Sequence, residues 1–248
     1  MTLHNLSKNH DLYPASGVDS NFTSVNKFGQ NTDIAQDSTE EIWDGSATYV
    51  WPTSAVITRI SQTADQEAMR GETIEVQGLD ANWAEVTQEI DLDGTLTTTA
   101  VEITTPLIRV FRMKVQANVV IDSPVRAHNT AENQDYAIIS IGNNQTLMAI
   151  YTTPADKVAY ITNYWAHHNP TTGQSFTSNP IKLWMRDNAN GFEKQLKHLV
   201  GIAEDGHFQH FFEPHLKVSA QTDIFITASP VGKAADVSAG FDLMLMND

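Results

Sequence analysis

Carboxylates at alternate positions form one chemically suggestive pattern in the sequence. Glu89, Asp91 and Asp93 are followed by Gly94, as at the start of an EF-hand calcium loop. Calcium binds six to eight oxygens, and alternate carboxylates before a glycine turn supply several of them. The closing bidentate position is Ala100, however, and the flanking segments have the pattern of strands. Two interpretations stay open: a calcium site of another kind, or a solvated strand face that ends in a turn.

Histidines form two further groups with ligand chemistry. One is His207, His210 and His215, and the other is the pair His167 and His168. Imidazole binds zinc and copper well, but in an extended strand His207 and His210 point to opposite faces. No carboxylate stands at a recognisable ligand spacing, so surface or interface histidines are favoured and we expect neither a metal nor a cofactor. A symmetric oligomer that brings copies of one histidine together stays possible.

Catalytic motifs are absent from the sequence. It contains no P-loop, no Rossmann glycine fingerprint, no Gly-x-Ser-x-Gly elbow and no zinc-protease histidine pair. The 30 Asp and Glu residues do not single out a pair for glycoside hydrolysis. Because cysteine is absent, thiol nucleophiles, thiolate metal sites and disulfides are excluded. We therefore expect a protein that is not an enzyme.

The net charge of the chain restricts the classes of partner that it can bind. The 248 residues carry 15 Lys and Arg against 30 Asp and Glu, a formal charge of −15. Such a chain repels phosphates instead of releasing their counterions, so we expect no direct nucleic-acid binding. The sequence contains no run of about 18 apolar residues, so we expect no membrane span. Residues 1–10 lack the pattern of a secretory signal. The acidity itself fits solubility, halophilic adaptation or the steering of a basic partner.

The elements that must position these residues are predicted to be strands. Val, Ile and Thr are frequent, and short strand patterns recur every ~8–15 residues, as in a sandwich or barrel. The clearest is a hairpin in which Trp83–Asp93 alternates, Asp93 and Gly94 turn, and Thr95–Thr105 returns. Lys194–Ala203 is the one short helical candidate. Further strands are predicted at Thr48–Trp51, Ala55–Ser61, Glu72–Gln77, Leu107–Ala117, Tyr136–Ile141, Thr146–Thr152, Lys157–Trp165, Ile181–Arg186, Phe192–Lys197, His207–Phe212, Asp223–Ala228 and Val237–Met246.

The domain organisation that follows has three parts. Residues 1–30 are expected to form an extended N-terminal arm, because they are polar and their apolar residues follow no period. A disordered terminus is the alternative. Residues 31–120 form a first β region, and residues 121–248 form a second one that is jelly-roll-like. The predicted fold is thus an all-β, jelly-roll-like sandwich, either one large sandwich or two packed together.

Aromatic residues are the next candidates for binding a partner, but they dominate both cores and interface hot spots, and a role in the core of a sandwich is favoured for them. Trp165 and Trp184 lie near the ends of apolar strands and fit a core. Trp43 lies between Glu41 and Asp44 and is a better interface candidate.

A succession of short motifs runs through residues 28–248. It begins with Phe28-Gly29-Gln30-Asn31-Thr32-Asp33-Ile34, Glu41-Ile42-Trp43-Asp44-Gly45 and Tyr49-Val50-Trp51-Pro52. It continues with Ile60–Asp65, Ile74–Trp83, Glu89–Thr95, Arg109–Arg112, Tyr151–Lys157, Met185–Asp187 and Asp236–Phe241. This succession resembles a family of virion structural proteins of tailed bacteriophages. The resemblance implies a β-rich, non-enzymatic building block of the virion.

Together these observations predict a capsid decoration (cement) protein on the outer capsid surface of the virion. It would bind the major capsid protein, stabilise the head and form a homo-oligomer, with a trimer favoured. A tail, collar or head-fibre component is the first alternative. The second is a carbohydrate-binding host-adhesion module in which Trp51 or Trp165 stacks on sugars. Capsid or subunit contacts are expected from Leu12, Tyr13, Phe22, Phe28, Ile42, Trp43, Tyr49 and Trp51.

Overall fold

A computed structural model describes residues 21–45, 48–169, 178–203 and 206–247. These residues form strands and loops with one 3₁₀ turn at Glu67–Met69, which confirms the predicted all-β sandwich class. None of the helical structure in this part of the chain could span a membrane. The strands are β1 (Phe22–Ile34), β2 (Glu40–Glu41), β3 (Ile57–Gln62), β4 (Thr73–Leu79), β5 (Glu85–Asp91), β6 (Val101–Leu107), β7 (Arg109–Val115), β8 (Val125–His128), β9 (Asp135–Ile139), β10 (Ile150–Thr152), β11 (Lys157–Asn169), β12 (Asn179–Asp187), β13 (Gln195–Ile202), β14 (His207–Val218), β15 (Thr222–Ala228) and β16 (Ala235–Asn247).

The terminal sandwich combines strands from both ends of the described chain. Its first sheet has the order β1-β16-β11-β14. Its second sheet has the order β10-β15-β12-β13, and β2 pairs with β15. Alternate residues of β16, such as Val237, Phe241 and Leu243, point inward and share a core with Ile181 and Leu183 of β12.

The central sandwich is formed by β3 to β9. One sheet has the order β6-β3-β8-β9, and the other has the order β5-β4-β7. Their inward side chains share a second core that includes Ile57, Ile74, Met113 and Val125. Burial of apolar surface is the main stabilising term in both sandwiches, at about 25 cal/mol per Å².

Strand β15 joins the two cores. All seven of its residues are buried, as expected for a strand covered on both faces. Ile224 and Ile226 pack in the core of the terminal sandwich, whereas Phe225 packs in the core of the central sandwich. The two sandwiches therefore share a buried strand.

Strand β1 replaces part of the predicted N-terminal arm. Residues 22–30 pair with β16 in an antiparallel register that begins with Phe22 opposite Met246. The inward residues of β1 include Lys27, Gly29 and Asn31, so the strand lacks the apolar alternation that sequence reasoning uses. Residues 1–20 of the predicted arm lie outside the described residues.

The predicted hairpin between Trp83–Asp93 and Thr95–Thr105 is wrong. Strand β5 pairs with β4, and β6 pairs with β3 in the other sheet. A turn does begin at Asp93, whose carboxylate accepts hydrogen bonds from the amides of Thr95 and Leu96. The Thr97 amide then donates to the Asp65 carboxylate, which fixes the segment as a crossing loop between the sheets.

Three other segments differ from the predictions. The helical candidate Lys194–Ala203 contains strand β13, whose inward residues include His198, Val200 and Ile202. Thr48–Trp51 is not a strand, and β8 was not among the predicted strands. Because β8 and β9 extend the sheet of β3, strand pairing does not follow the predicted division at residues 120 and 121. The jelly-roll description stays an interpretation of the strand order.

Candidate interaction surface

The residues predicted to contact a partner fall into three groups. Leu12 and Tyr13 lie outside the described residues. Phe22 and Phe28 lie on β1, where Phe22 is half-buried and Phe28 is exposed. The third group is enclosed by the chain itself and consists of Ile42, Trp43 and Tyr49, which are buried, and Trp51, which is half-buried.

The aromatic residues of the third group form a row of ring contacts that ends on β15. The ring centroids of Trp43 and Tyr49 are 5.1 Å apart, and those of Tyr49 and Trp51 are 4.8 Å apart. Trp51 then contacts Phe225 at 4.9 Å. The acidic neighbour Glu41 is also buried, and its carboxylate accepts a hydrogen bond from the Tyr49 amide. Ile42, Trp43 and Tyr49 are therefore core contacts, and Trp51 is half-buried beside them.

Next to this row of aromatic rings lies a buried ion network between the two sandwiches. Asp223 on β15 is paired with Arg109 at 2.9 Å and with Arg186 at 2.6 Å, and it accepts a hydrogen bond from the Thr152 hydroxyl at 2.6 Å. Burial opposes ionisation, but the two guanidinium groups and these hydrogen bonds hold the pKa of Asp223 below its ordinary value. Both guanidinium groups also lie over the Trp51 ring, at 5.2 Å and 4.5 Å from its centroid. This network ties the sandwiches together and leaves Trp51 packed against cations.

The carboxylates that suggested calcium serve local structure. The Asp91 carboxylate accepts a hydrogen bond from the Thr73 hydroxyl at 2.6 Å, and Glu89 lies opposite Glu75. Hydrogen bonds from the Leu96 and Thr95 amides lower the pKa of Asp93. Within the part of the chain that the structure describes, three or more His, Asp or Glu side chains do not converge as metal ligands.

The predicted histidine groups are separated by the strands. His207 is exposed and His210 is half-buried, which confirms that they point to opposite faces of β14. His215 is exposed, and its Nδ1 shares a hydrogen bond of 2.9 Å with the Phe212 carbonyl. His168 is buried on β11, whereas His167 is half-buried.

His210 instead meets a histidine that sequence reasoning missed. His198 on β13 stacks on it with ring centroids 4.3 Å apart, and its Nδ1 shares a hydrogen bond of 2.5 Å with the Tyr164 hydroxyl. Burial, and then the charge of His210, lower the pKa of His198. Phe208 and Phe212 pack around the same Tyr164 ring. The signal for His198 was hidden because its segment was interpreted as a helix.

This ring cluster lies where the terminal sandwich is open. Among the described strands, β13 pairs with β12 alone and β14 pairs with β11 alone, so both strands are sheet edges. Unpaired edges offer their backbone groups to another chain. We call the two strands, with the loop residue Phe192 that precedes β13, the open edge.

Large apolar side chains are exposed on the open edge. Phe192 is 53% exposed, Leu196 46%, Leu199 52% and Phe211 59%. Single exposed apolar residues are ordinary. Here Leu196 and Leu199 face outward from β13 and Phe211 faces outward from β14, so they lie on the two outer sides of the open edge. Exposed Lys194, Lys197 and Lys217 flank them. Lysines on an edge discourage unspecific pairing.

Comparison of the chain with protein-family models and with curated proteins finds no match.

Proposed function

We propose that this protein is a virion structural protein of a tailed phage, most specifically a capsid decoration protein. It binds the outer surface of the major capsid protein, stabilises the head and associates with further copies of itself. The observation that carries the proposal is the open edge, where two unpaired strands present exposed Leu and Phe side chains. Such a surface suits a protein whose work is done through repeated contacts.

The energetics of the open edge favour association. Complete burial of one Leu or Phe side chain is worth about 1.5–3 kcal/mol. Four such side chains are half exposed there, and the rings of His198, Phe208, His210 and Phe212 are also accessible in part. Aromatic groups of this kind are common centres of binding energy. A partner that covers the edge also satisfies the free backbone groups of β13 and β14.

The fold supports the same function. The terminal sandwich consists of two sheets with the orders β1-β16-β11-β14 and β10-β15-β12-β13, which we interpret as a jelly roll. Jelly rolls are common in viral capsid proteins. The resemblance of residues 28–248 to virion proteins of tailed phages points the same way.

The predicted arm fits this arrangement as its second contact. Residues 1–20 precede β1, which forms the edge of its sheet opposite β14. Twenty extended residues reach roughly 66 Å, which is enough to cross to a neighbouring subunit. Leu12 and Tyr13 are the apolar residues that we expect to anchor the arm.

The self-association can be tested by the mass of the protein in solution. We expect the wild-type chain to form an oligomer, with a trimer favoured, and we expect the double variant Leu199→Asp, Phe211→Asp to be a monomer. The reason is that two charges on the open edge would have to be buried without partners. Light scattering after size-exclusion chromatography measures both masses.

The matched control is Val120→Asp, since Val120 is exposed but belongs to the loop between β7 and β8. It should keep the wild-type mass. A monomeric wild-type protein, or an unchanged mass of the double variant, would contradict self-association through the open edge.

A further inference from the structure

A groove of about 470 Å³ lies on another side of the molecule, where β1 meets the central sandwich. One wall is β1 from Thr23 to Phe28. The opposite wall includes Gln77, Glu85, Arg112 and Tyr151. The open edge does not contribute to this groove, so the proposed self-association leaves its function unassigned.

Lys27 is an unusual component of this groove. Its side chain lies on the inward face of β1 and is only 8% exposed. The ammonium group donates to the Phe111 carbonyl, which is its hydrogen-bond partner among the described residues. An ammonium group has three donors. Two N–H donors of this nearly buried ammonium group can therefore bind an acceptor.

Tyr151 adds a second buried donor to the same groove. Its ring packs on Phe111 with a centroid distance of 4.8 Å. Its hydroxyl is buried and has no hydrogen-bond partner among the described residues. Burial, followed by the charges of Glu85 and Asp156, raises the pKa of Tyr151, so the hydroxyl keeps its proton. A buried hydroxyl without a partner loses free energy that an acceptor would restore.

The charges that face Lys27 are Arg112 on β7 and Glu85 on β5. Arg112 is a second cation in a chain whose formal charge is −15. Partial desolvation raises the pKa of Glu85, and the nearby charges of Lys157 and Asp156 act on it in opposite directions. The local balance therefore favours an anion, in contrast to the charge of the molecule as a whole.

We propose that this groove binds a small carboxylate ligand through Lys27, with Tyr151 and Arg112 as further donors. The carboxylate pairs with the Lys27 ammonium, and a remaining oxygen of the ligand accepts from Tyr151. Gln77, Gln145 and Thr146 provide neutral polar groups along the groove for the rest of the ligand. Two sources have this chemistry: an acidic sugar, or the acidic side chain of another protein.

The site has a pH dependence that a merely structural lysine would not give. Burial, with a smaller contribution from Arg112, lowers the pKa of Lys27 to about 7. The carboxylate needs the charged ammonium, so binding weakens as the pH rises through 7. Between pH 6 and pH 8.5 the charged fraction, and with it the affinity, falls about 30-fold. Protonation of Glu85 at lower pH acts in the same direction.

Calorimetric titration of the full chain tests this proposal. The probes are glucuronate for the acidic sugar and N-acetylglutamate amide for the acidic side chain, with glucose as the neutral comparison. We expect saturable binding of at least one acid at pH 6, a loss of about 30-fold by pH 8.5, and no binding of glucose. The tighter of the two acids identifies the source.

Variants connect the binding to the groove. Lys27→Met should abolish binding and its pH dependence, Tyr151→Phe should weaken binding several-fold, and Lys233→Met, which removes the same charge elsewhere, should change neither. Absence of binding by both acids, the same affinity at pH 6 and pH 8.5, or wild-type affinity of Lys27→Met would overturn the proposal. If Lys27→Met does not fold, the affinity of Arg112→Gln for the acids and the pH profile of wild-type binding test the proposal instead. These outcomes are independent of the mass of the oligomer.

Discussion

At the scale of single residues, the feature that most needs charge compensation is the buried carboxylate of Asp223. It is fully buried on β15, and it depends on Arg109, which is itself buried, and on the partly exposed Arg186. Removing one partner from such a network leaves a charge buried without compensation. The network therefore locks the central sandwich against the terminal one.

Asp223→Asn tests this role. We expect it to lower the free energy of unfolding by about 3–5 kcal/mol, because the buried Arg109 and the partly exposed Arg186 both lose their counter-charge. Since the folded pKa of Asp223 is lowered, its stabilising contribution is present above the ordinary carboxyl pKa and is lost as the pH falls through the folded value. Urea unfolding at pH 7 and at pH 3 measures both effects.

The matched control is Glu102→Gln, which breaks the ion pair of 2.7 Å with Arg59 at a carboxylate that is mostly exposed. Its effect should stay within about 1 kcal/mol. An Asp223→Asn variant as stable as this control would refute the locking role.

The residue scale also shows where sequence reasoning succeeds and where it fails. The opposite orientation of His207 and His210 follows from the alternation of a strand, and it was predicted. The burial of Trp43 was not predicted, since acidic neighbours normally indicate a surface, whereas here Glu41 is buried and bonded to the Tyr49 amide. Contacts such as Arg109 with Asp223 join residues far apart in the chain, and no local pattern carries them.

At the scale of elements, predictions held where apolar residues alternate or form a continuous run, and failed where they do neither. Strands β4, β12 and β15 have apolar inward positions and were placed within a few residues. Strand β1 was missed because its inward positions include Lys27, Gly29 and Asn31. Gly29 has a structural reason, since a Cβ there would approach the Ala149 nitrogen to 2.4 Å. The hairpin at Asp93 failed because a turn motif does not determine which strands pair.

The stability of the two strands of the open edge should depend on pH. The lowered pKa of His198 means that the folded chain takes up this proton less readily than the unfolded chain. Stability contributed by β13 and β14 therefore falls as the pH drops below about 6.5. We expect faster hydrogen exchange of their amides at pH 5 than at pH 7.5, after correction for the intrinsic rate.

His198→Phe should remove most of this difference, because it keeps a ring beside His210 and Tyr164 but cannot be protonated. His215→Asn is the control, since His215 is exposed on β14, the strand of His210, and lies outside the ring cluster. Equal protection of the edge at both pH values in the wild-type chain would disprove this interpretation.

At the scale of the whole molecule, positive side chains lie at the surfaces proposed for contact, although the chain as a whole is acidic. The chain carries a formal charge of −15, yet exposed lysines flank the open edge, and two cations line the groove beside β1. Without cysteine, disulfides cannot contribute to the robustness of an assembly of this protein. The all-β class could be predicted from composition and strand patterns. The sharing of β15 between two sandwiches could not, because it arises from pairing between distant segments.

The number of copies in a virion tests the central claim most directly. A quantitative stained gel of purified particles that contain this chain, with the major capsid protein as the internal standard, gives that number. A capsid decoration protein is expected at hundreds of copies per particle, in a simple ratio to the major capsid protein. A dozen copies or fewer would contradict the assignment and favour a tail, collar or head-fibre component.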